Sequence, residues 1–128
     1  MERACMTDSP VLLVEDDDSI ALIVETILST AGLVVTRAVS GQEALSLAAT
    51  TAPGLLITDL NLPGDLGGDT LAMQLRARTP HLPVILISGD FDDATPRDDL
   101  VPGAVILPKP FRRAALLEAL ETAKATQP

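Results

Sequence analysis

The chain has 128 residues, of which 47% are hydrophobic and 21% are charged, and its formal net charge is -9. These values predict a globular domain and disfavour direct binding to nucleic acid or to an anionic membrane. A single cysteine, Cys5, excludes an internal disulfide, and the sequence has neither a signal-peptide core nor a run long enough to span a bilayer. We therefore expect a cytoplasmic protein with one domain over residues 1–128, a core of about 10–123 and short tails.

Five short apolar runs recur along the chain. They are rich in Val, Ile and Leu and do not alternate with polar residues, which is typical of strands buried on both faces of a parallel sheet. The predicted strands cover residues 11–14, 33–36, 55–58, 84–88 and 104–107.

Segments of helical character separate these strands. The first has apolar residues at helical spacing from Ile20 to Ala31, and the second begins with a capping box formed by Ser40 and Glu43. A third is predicted from about Asp69 to Arg78, and the last from about Arg112. The fourth connection is acidic and contains two prolines, so we expect a short or irregular helix there. The alternation predicts an α/β domain with right-handed crossovers and helices on both faces of the sheet.

Chemically useful side chains stand at the carboxyl ends of the predicted strands. Glu15 and Asp16 follow the first strand, Asp59 follows the third, Ser88 ends the fourth and Lys109 follows the fifth. Ligands of such sheets bind beyond the carboxyl ends of the strands, so we expect these residues to share one site. Neighbouring carboxylates repel one another, and a bound cation relieves that repulsion. A ligand set made only of oxygen atoms suits Mg²⁺.

The same residues predict phosphoryl chemistry. Asp59 would be a carboxylate nucleophile, while the metal and the Lys109 amine neutralise the charge of the incoming phosphoryl group. The next two acids, Asp17 and Asp18, are better explained by the N-terminus of the first helix, where a cap and the helix dipole favour them.

Four motifs resemble those of the receiver domains of two-component response regulators. They are VLLVEDD, LLITDLNLPG, VILISGD and GAVILPKPF, and the resemblance covers about Pro10 to Ala123. It implies a doubly wound, five-stranded parallel sheet of strand order 2-1-3-4-5. It also implies that Asp59 accepts phosphate from a phosphohistidine, that Ser88 is the switch hydroxyl, and that Lys109 is the lysine of the family.

The resemblance also implies a set of Mg²⁺ ligands. By position, Asp16 is the direct carboxylate ligand, together with Asp59, and Glu15 acts partly through water. The backbone carbonyl of Asn61 completes the share contributed by the protein.

Two features depart from the usual family pattern. Ile106 stands at the switch position where the family often has Phe or Tyr, three residues before the lysine. The loop after the phosphoacceptor is one residue longer than common if Leu66 is its apolar plug and Gly68 its usual glycine, an alignment that keeps Leu71 in phase with the third helix. Ile106 is β-branched and stiff, and the acidic, proline-containing connection before the fifth strand is predicted to form only a weak helix. We therefore expect signalling mainly through rearrangement of residues 90–102, with little reorientation at Ile106.

The leading hypothesis is a stand-alone receiver that accepts a phosphoryl group from a histidine kinase or histidine phosphotransferase and acts on a downstream protein. Phosphorylation-dependent dimerisation is left open. One alternative is an Mg²⁺-dependent phosphatase with an Asp nucleophile, which typically has a second acid where this chain has Asn61. Another is a phosphorylation-independent interaction module, which loss of the acids or the lysine would indicate. A flavodoxin-like cofactor binder would need a Gly-, Ser- or Thr-rich loop after the first strand, and acids occupy that place here.

Overall fold

The structure is a computed structural model that describes residues 10–60, 62, 66–88, 104–108 and 112–125. Within these residues the chain forms five strands and four helices. The elements are β1 (Val11–Val14), α1 (Asp18–Thr30), β2 (Val35–Ala38), α2 (Gly41–Thr50), β3 (Leu55–Asp59), α3 (Gly68–Arg78), β4 (Val84–Ser88), β5 (Val105–Pro108) and α4 (Arg113–Ala125).

The strands form one parallel sheet in the order β2-β1-β3-β4-β5, which confirms the predicted fold. β1 lies between β2 and β3, with Val14 opposite both Ala38 and Thr58. On the other side of β3, Asp59 lies opposite Ile87. This register brings the carboxyl ends of β1 and β3 side by side, which is where two of the predicted site segments begin.

Helices cover both faces of the sheet, and each face has its own apolar cluster. Alternate residues of the central strands point to opposite faces, as the pleat requires. Leu13 and Ile57 pack with buried residues of α1 and α4, whereas Leu12 and Leu56 pack with buried residues of α2 and α3. Each fully buried Leu or Ile side chain contributes roughly 1.5–3 kcal/mol by leaving water. These clusters therefore fix the positions of the strands and of their carboxyl ends.

The predicted position of β2 is wrong by two residues, because the strand lies at Val35–Ala38 rather than at 33–36. Leu33 packs against the core before the strand begins, and Val34 is 56% exposed. The prediction that all strands are buried on both faces is also wrong for the two edge strands, because the first three residues of β2 and the first two of β5 are only half-buried. β2 lies at the edge of the sheet, so polar residues are tolerated there and the apolar run does not mark its bounds.

The predicted bounds of the other strands are close to those observed. β1 and β4 lie where they were predicted, β3 extends by one residue to include Asp59, and β5 begins one residue later than predicted, at Val105. The connection between β4 and β5, for which the sequence predicts a short or irregular helix, lies outside the described residues.

The first two helices, α1 and α2, begin at the predicted capping residues. Asp17 is the N-cap of α1, where its Oδ1 accepts hydrogen bonds from the Ser19 and Ile20 N–H groups at 2.9 and 3.2 Å. Ser40 is the N-cap of α2, although the Glu43 carboxylate accepts from the Val39 N–H at 2.7 Å rather than from that of Ser40. Among the described helices, none has the length and apolar character needed to cross a membrane.

Candidate functional site

Three carboxylates meet at the carboxyl ends of β1 and β3, and we call them the acid edge: Glu15, Asp16 and Asp59. One oxygen from each lies within 4.8 Å of the others. Glu15 is fully buried and Asp59 is only 5% exposed, whereas Asp16 is exposed. Two carboxylates are thus held by the sheet and the third faces solvent, where an ion would enter.

The loop after β1 fixes Glu15 at this edge. Its N–H donates to the Ala38 carbonyl at 3.0 Å, which continues the pairing of β1 with β2 beyond the strand. The Glu15 side chain lies against the backbone of the loop that follows, where its Oε2 accepts a hydrogen bond from the Asp17 N–H at 3.2 Å. The strand therefore delivers the Glu15 carboxylate into the interior next to the strand end that carries Asp59.

The electrostatics of the acid edge favour a cation. Carboxylates about 5 Å apart repel each other by roughly 3 kcal/mol per pair at an effective dielectric of about 20. A divalent cation would remove this cost, and the three side chains offer only oxygen ligands. This donor set fits Mg²⁺, which needs few protein ligands because it keeps several waters.

The backbone around Asp59 is held on two sides. The Thr58 hydroxyl donates to the Asp59 carbonyl at 3.0 Å, and the N–H of Leu60 donates to the Ile87 carbonyl at 2.9 Å. The first residue of α3, Gly68, lies so close to this strand end that a Cβ there would overlap the Asp59 carbonyl oxygen and lie 2.9 Å from its carbon. The carboxylate of Asp59 therefore projects from a peptide that has little room to move.

Leu66 closes the loop between β3 and α3. Its side chain packs against the cluster on the α2 and α3 face, and a Cβ on Gly41 would lie 2.8 Å from the Leu66 Cδ2 atom. α3 then begins at Gly68 and Leu71 is fully buried, as the alignment of the longer loop predicts. The positions of Leu66, Gly68 and Leu71 are thus compatible with that alignment.

Arg37 is a residue that the sequence reasoning missed. It lies on the edge strand β2, and its Nε and Nη2 atoms donate to the Glu15 carbonyl at 3.1 and 2.9 Å. Nη2 also lies 2.9 Å from Oδ1 of Asp18. Arg37 is the only Lys or Arg between Arg3 and Arg76 in the sequence, and that isolation within an acidic stretch was the signal that could have found it.

Several predicted site residues cannot be placed with the acid edge. Asn61, Lys109 and the segment 90–102 lie outside the described residues. Ser88 ends β4 with its backbone opposite Pro108, and its side chain is outside the described part. Ile106, on β5, is half-buried and packs against the cluster on the α2 and α3 face.

Comparison with known sequences identifies a family. The model of the response regulator receiver domain matches residues 11–121. The DNA-binding transcriptional regulator NtrC of Klebsiella pneumoniae is 38% identical over 100 residues, which cover 77% of this chain and 21% of that protein. The transcriptional regulatory protein FixJ of Azorhizobium caulinodans is 32% identical over 112 residues, or 87% of this chain and 53% of that protein. The chain thus spans about a fifth to about a half of the length of these relatives.

Solved structures agree with the sequence comparisons. A response regulator receiver protein from Sinorhizobium medicae has a TM-score of 0.84 and 28% identity, covering 94% of this chain and 97% of that one. The chemotaxis protein CheY4 of Vibrio cholerae has a TM-score of 0.80 and 27% identity, covering 90% of this chain and 98% of that one.

Proposed function

The chain belongs to the response regulator receiver domain family, and we propose that it accepts a phosphoryl group on Asp59 in a two-component or phosphorelay system. Receiver domains are signalling modules that interact with kinases and downstream effectors. The observation that carries this proposal is the acid edge, where the Asp59 carboxylate lies within 4.8 Å of those of Glu15 and Asp16. The expectation of a stand-alone receiver stays a prediction.

In this proposal the acid edge holds Mg²⁺. The carboxylates of Asp16 and Asp59 would bind it directly, Glu15 partly through water, and the Asn61 backbone carbonyl would complete the set. When bound, the ion would neutralise the oxygens of the phosphoryl group during transfer. Glu15 also has a structural role. Its buried side chain accepts a hydrogen bond from the Asp17 N–H and so restrains the loop that carries Asp16.

The transfer itself needs a nucleophile held in line with the donor. A carboxylate oxygen of Asp59 attacks the phosphorus of a phosphohistidine, and the new O–P bond forms as the N–P bond breaks and its electron pair returns to the histidine nitrogen. The hydrogen bond and the close packing around the Asp59 peptide support this role, since a fixed backbone limits the positions the nucleophile can take. We assign the charge of Lys109 to the transferred group and the hydroxyl of Ser88 to the response that follows.

The proposed donor is a histidine kinase or a histidine phosphotransferase. Its histidine must reach the acid edge, and α1 begins beside that edge. On α1, Leu22 and Ile23 are 64% and 52% exposed although both are large and apolar. Leu22 lies one turn after Asp18, so the first half of the helix offers an apolar contact surface to a donor. The net charge of -9 favours a donor and a downstream target with basic surfaces, and we propose that both meet the chain in the cytoplasm.

We propose that phosphorylation changes the arrangement of residues 90–102 and causes little reorientation at Ile106. Ile106 supports this because it is β-branched and packs against the cluster on the α2 and α3 face. Amide hydrogen exchange with and without a phosphoryl mimic tests the idea. A change in protection around Ile106 without a change across 90–102 would contradict it.

Phosphate incorporation tests the proposed function. The wild-type chain should take up phosphate from a small phosphodonor only when Mg²⁺ is present, and Asp59→Asn, which keeps the shape but removes the nucleophile, should abolish uptake. Glu118→Gln, a comparable exchange of acid for amide at an exposed position of α4, should leave uptake unchanged. Full incorporation by Asp59→Asn would contradict the assignment. Repeated hydrolysis of a phosphate monoester, whose leaving group needs an acid to protonate it, would favour the phosphatase alternative.

A further inference from the structure

Arg37 links the edge strand β2 to the loop that carries two of the proposed metal ligands. Two of its nitrogen atoms donate to the same acceptor, the Glu15 carbonyl, at 3.1 and 2.9 Å. One of them also forms the ion pair with Asp18 at 2.9 Å. The guanidinium side chain is 24% exposed and that of Asp18 is 91% exposed, so the contact with the carbonyl is the better shielded of the two and the ion pair adds less.

The acceptor of these bonds lies between two members of the acid edge. The Glu15 carbonyl belongs to the peptide unit that joins Glu15 to Asp16. Because a peptide unit is planar, holding its oxygen limits the direction in which the Asp16 side chain leaves the backbone. Glu15 itself is already fixed by burial and by its hydrogen bonds, whereas Asp16 is exposed. Asp16 therefore depends more on this restraint than Glu15 does.

We infer that Arg37 is a positioning residue for the divalent-cation site, holding the Glu15–Asp16 peptide so that the Asp16 carboxylate faces those of Glu15 and Asp59. The inference rests on the proposed function, since it takes the acid edge to be a cation site. Arg37 acts through the backbone of its neighbours. In metalloproteins, residues that do not bind the metal often orient its ligands by hydrogen bonds, and the loss of such a bond typically lowers metal affinity about 10- to 100-fold. We expect the contacts of Arg37 to act in the same way.

Electrostatics alone predicts the opposite sign, and this makes the inference testable. The positive charge of Arg37, bonded to the Glu15 carbonyl, repels a cation at the acid edge, and Asp18 offsets only part of that charge because it is exposed. If Arg37 acted only as a charge, its removal would strengthen Mg²⁺ binding. If it holds the peptide, its removal weakens binding, because the cation must then restrain a freer loop.

The experiment measures Mg²⁺ affinity by isothermal titration calorimetry on the full chain. Arg37→Gln removes the charge and both donors to the carbonyl, and Arg37→Lys keeps the charge but has no fork of N–H groups. Arg76→Gln is the matched control, since Arg76 Nε donates to the Leu82 carbonyl at 3.0 Å, a bond of the same kind between α3 and the segment before β4. Thermal melts without Mg²⁺ report the loss of fold stability separately for each variant.

We expect Arg37→Gln to weaken Mg²⁺ binding by about tenfold, Arg37→Lys to show a smaller loss in the same direction, and Arg76→Gln to bind like the wild type. Unchanged or tighter binding by Arg37→Gln would overturn the inference. Wild-type affinity in Arg37→Lys would also overturn it, because Mg²⁺ binding would then not need the two N–H donors of the guanidinium. Arg37→Lys also tests the inference if Arg37→Gln does not fold. A wild-type chain that binds no Mg²⁺ would overturn the proposed metal site, and the inference with it.

Discussion

Replacing Gly68 with alanine tests the close packing between α3 and the strand end that carries Asp59. A Cβ at this position would overlap the Asp59 carbonyl oxygen and lie 3.0 Å from Thr58 Oγ1. The obstructing atoms belong mostly to the backbone of a buried strand and cannot swing aside as the tip of a long side chain could. The first turn of α3 must therefore shift away from β3, or the Asp59 peptide must tilt.

The magnitude follows from two opposing terms. Alanine is favoured over glycine in a helix by at most about 1 kcal/mol, and less at its first residue. Overpacking of a tight site costs about 1–3 kcal/mol, and a backbone obstacle places Gly68→Ala near the upper value. We therefore expect a net loss of about 2 kcal/mol, which corresponds to a fall in melting temperature of about 6–10 °C for a domain of this size.

Differential scanning calorimetry measures this change, and the neighbouring glycine provides the control. A Cβ on Gly67 would meet the movable Asp69 carboxylate at 3.1 Å and the Leu60 carbonyl at 3.6 Å, so Gly67→Ala should cost within about 1 kcal/mol, mainly as a poorer N-cap. Phosphate uptake should fall in Gly68→Ala only, because its overlap involves Asp59 itself. A Gly68→Ala chain that melts at or above the wild-type temperature would refute the reasoning.

Three further predictions concern the metal, the donor and the loop. Mg²⁺ at ten times its Kd should raise the free energy of unfolding by about 1.4 kcal/mol, measured by calorimetry, and an increase that survives Asp16→Ala combined with Asp59→Ala would contradict the metal site. Leu22→Ala should slow phosphoryl transfer from a protein donor but not from a small phosphodonor, measured as phosphate uptake in samples quenched at successive times. Equal slowing with both donors would argue against a docking surface at Leu22. Gly41→Ala should destabilise the fold less in a Leu66→Ala background, with a coupling of about 0.5–2 kcal/mol in a double-mutant cycle, whereas additive losses would show that the Cβ on residue 41 does not press on Leu66.

The sheet and the acid edge were largely predictable, because the strands follow from local apolar runs and the strand order follows from the family resemblance. Continuous apolar runs mark β1 and β4 at the observed bounds. The acids that follow β1 and β3 had to meet once those strands were parallel neighbours, a pairing that the family resemblance supplied. The structure brings Glu15, Asp16 and Asp59 together as expected, while their roles in metal binding and phosphoryl transfer stay predictions.

The edge strand and its arginine were not predictable in the same way. β2 is paired with β1, and this pairing sets its register, with Val11 opposite Val35, so the strand runs past the apolar residues into polar ones. Arg37 then lies at a strand position that the apolar run did not include. Its contact with Glu15 joins residues 22 positions apart in the sequence. The isolation of Arg37 among acids marks the residue, but no local pattern indicates which distant carbonyl it binds.

The central claim is that Asp59 is the phosphoacceptor, and peptide mapping of the phosphorylated chain tests it most directly. The wild-type chain would be incubated with Mg²⁺ and a small phosphodonor, quenched, digested and sequenced by tandem mass spectrometry, with Asp59→Asn treated in parallel. The account predicts a phosphoryl group on Asp59 in the wild type and none on the corresponding peptide of the variant. A phosphoryl group found on Ser88 or on Asp16 in the wild-type chain, with Asp59 unmodified, would contradict it.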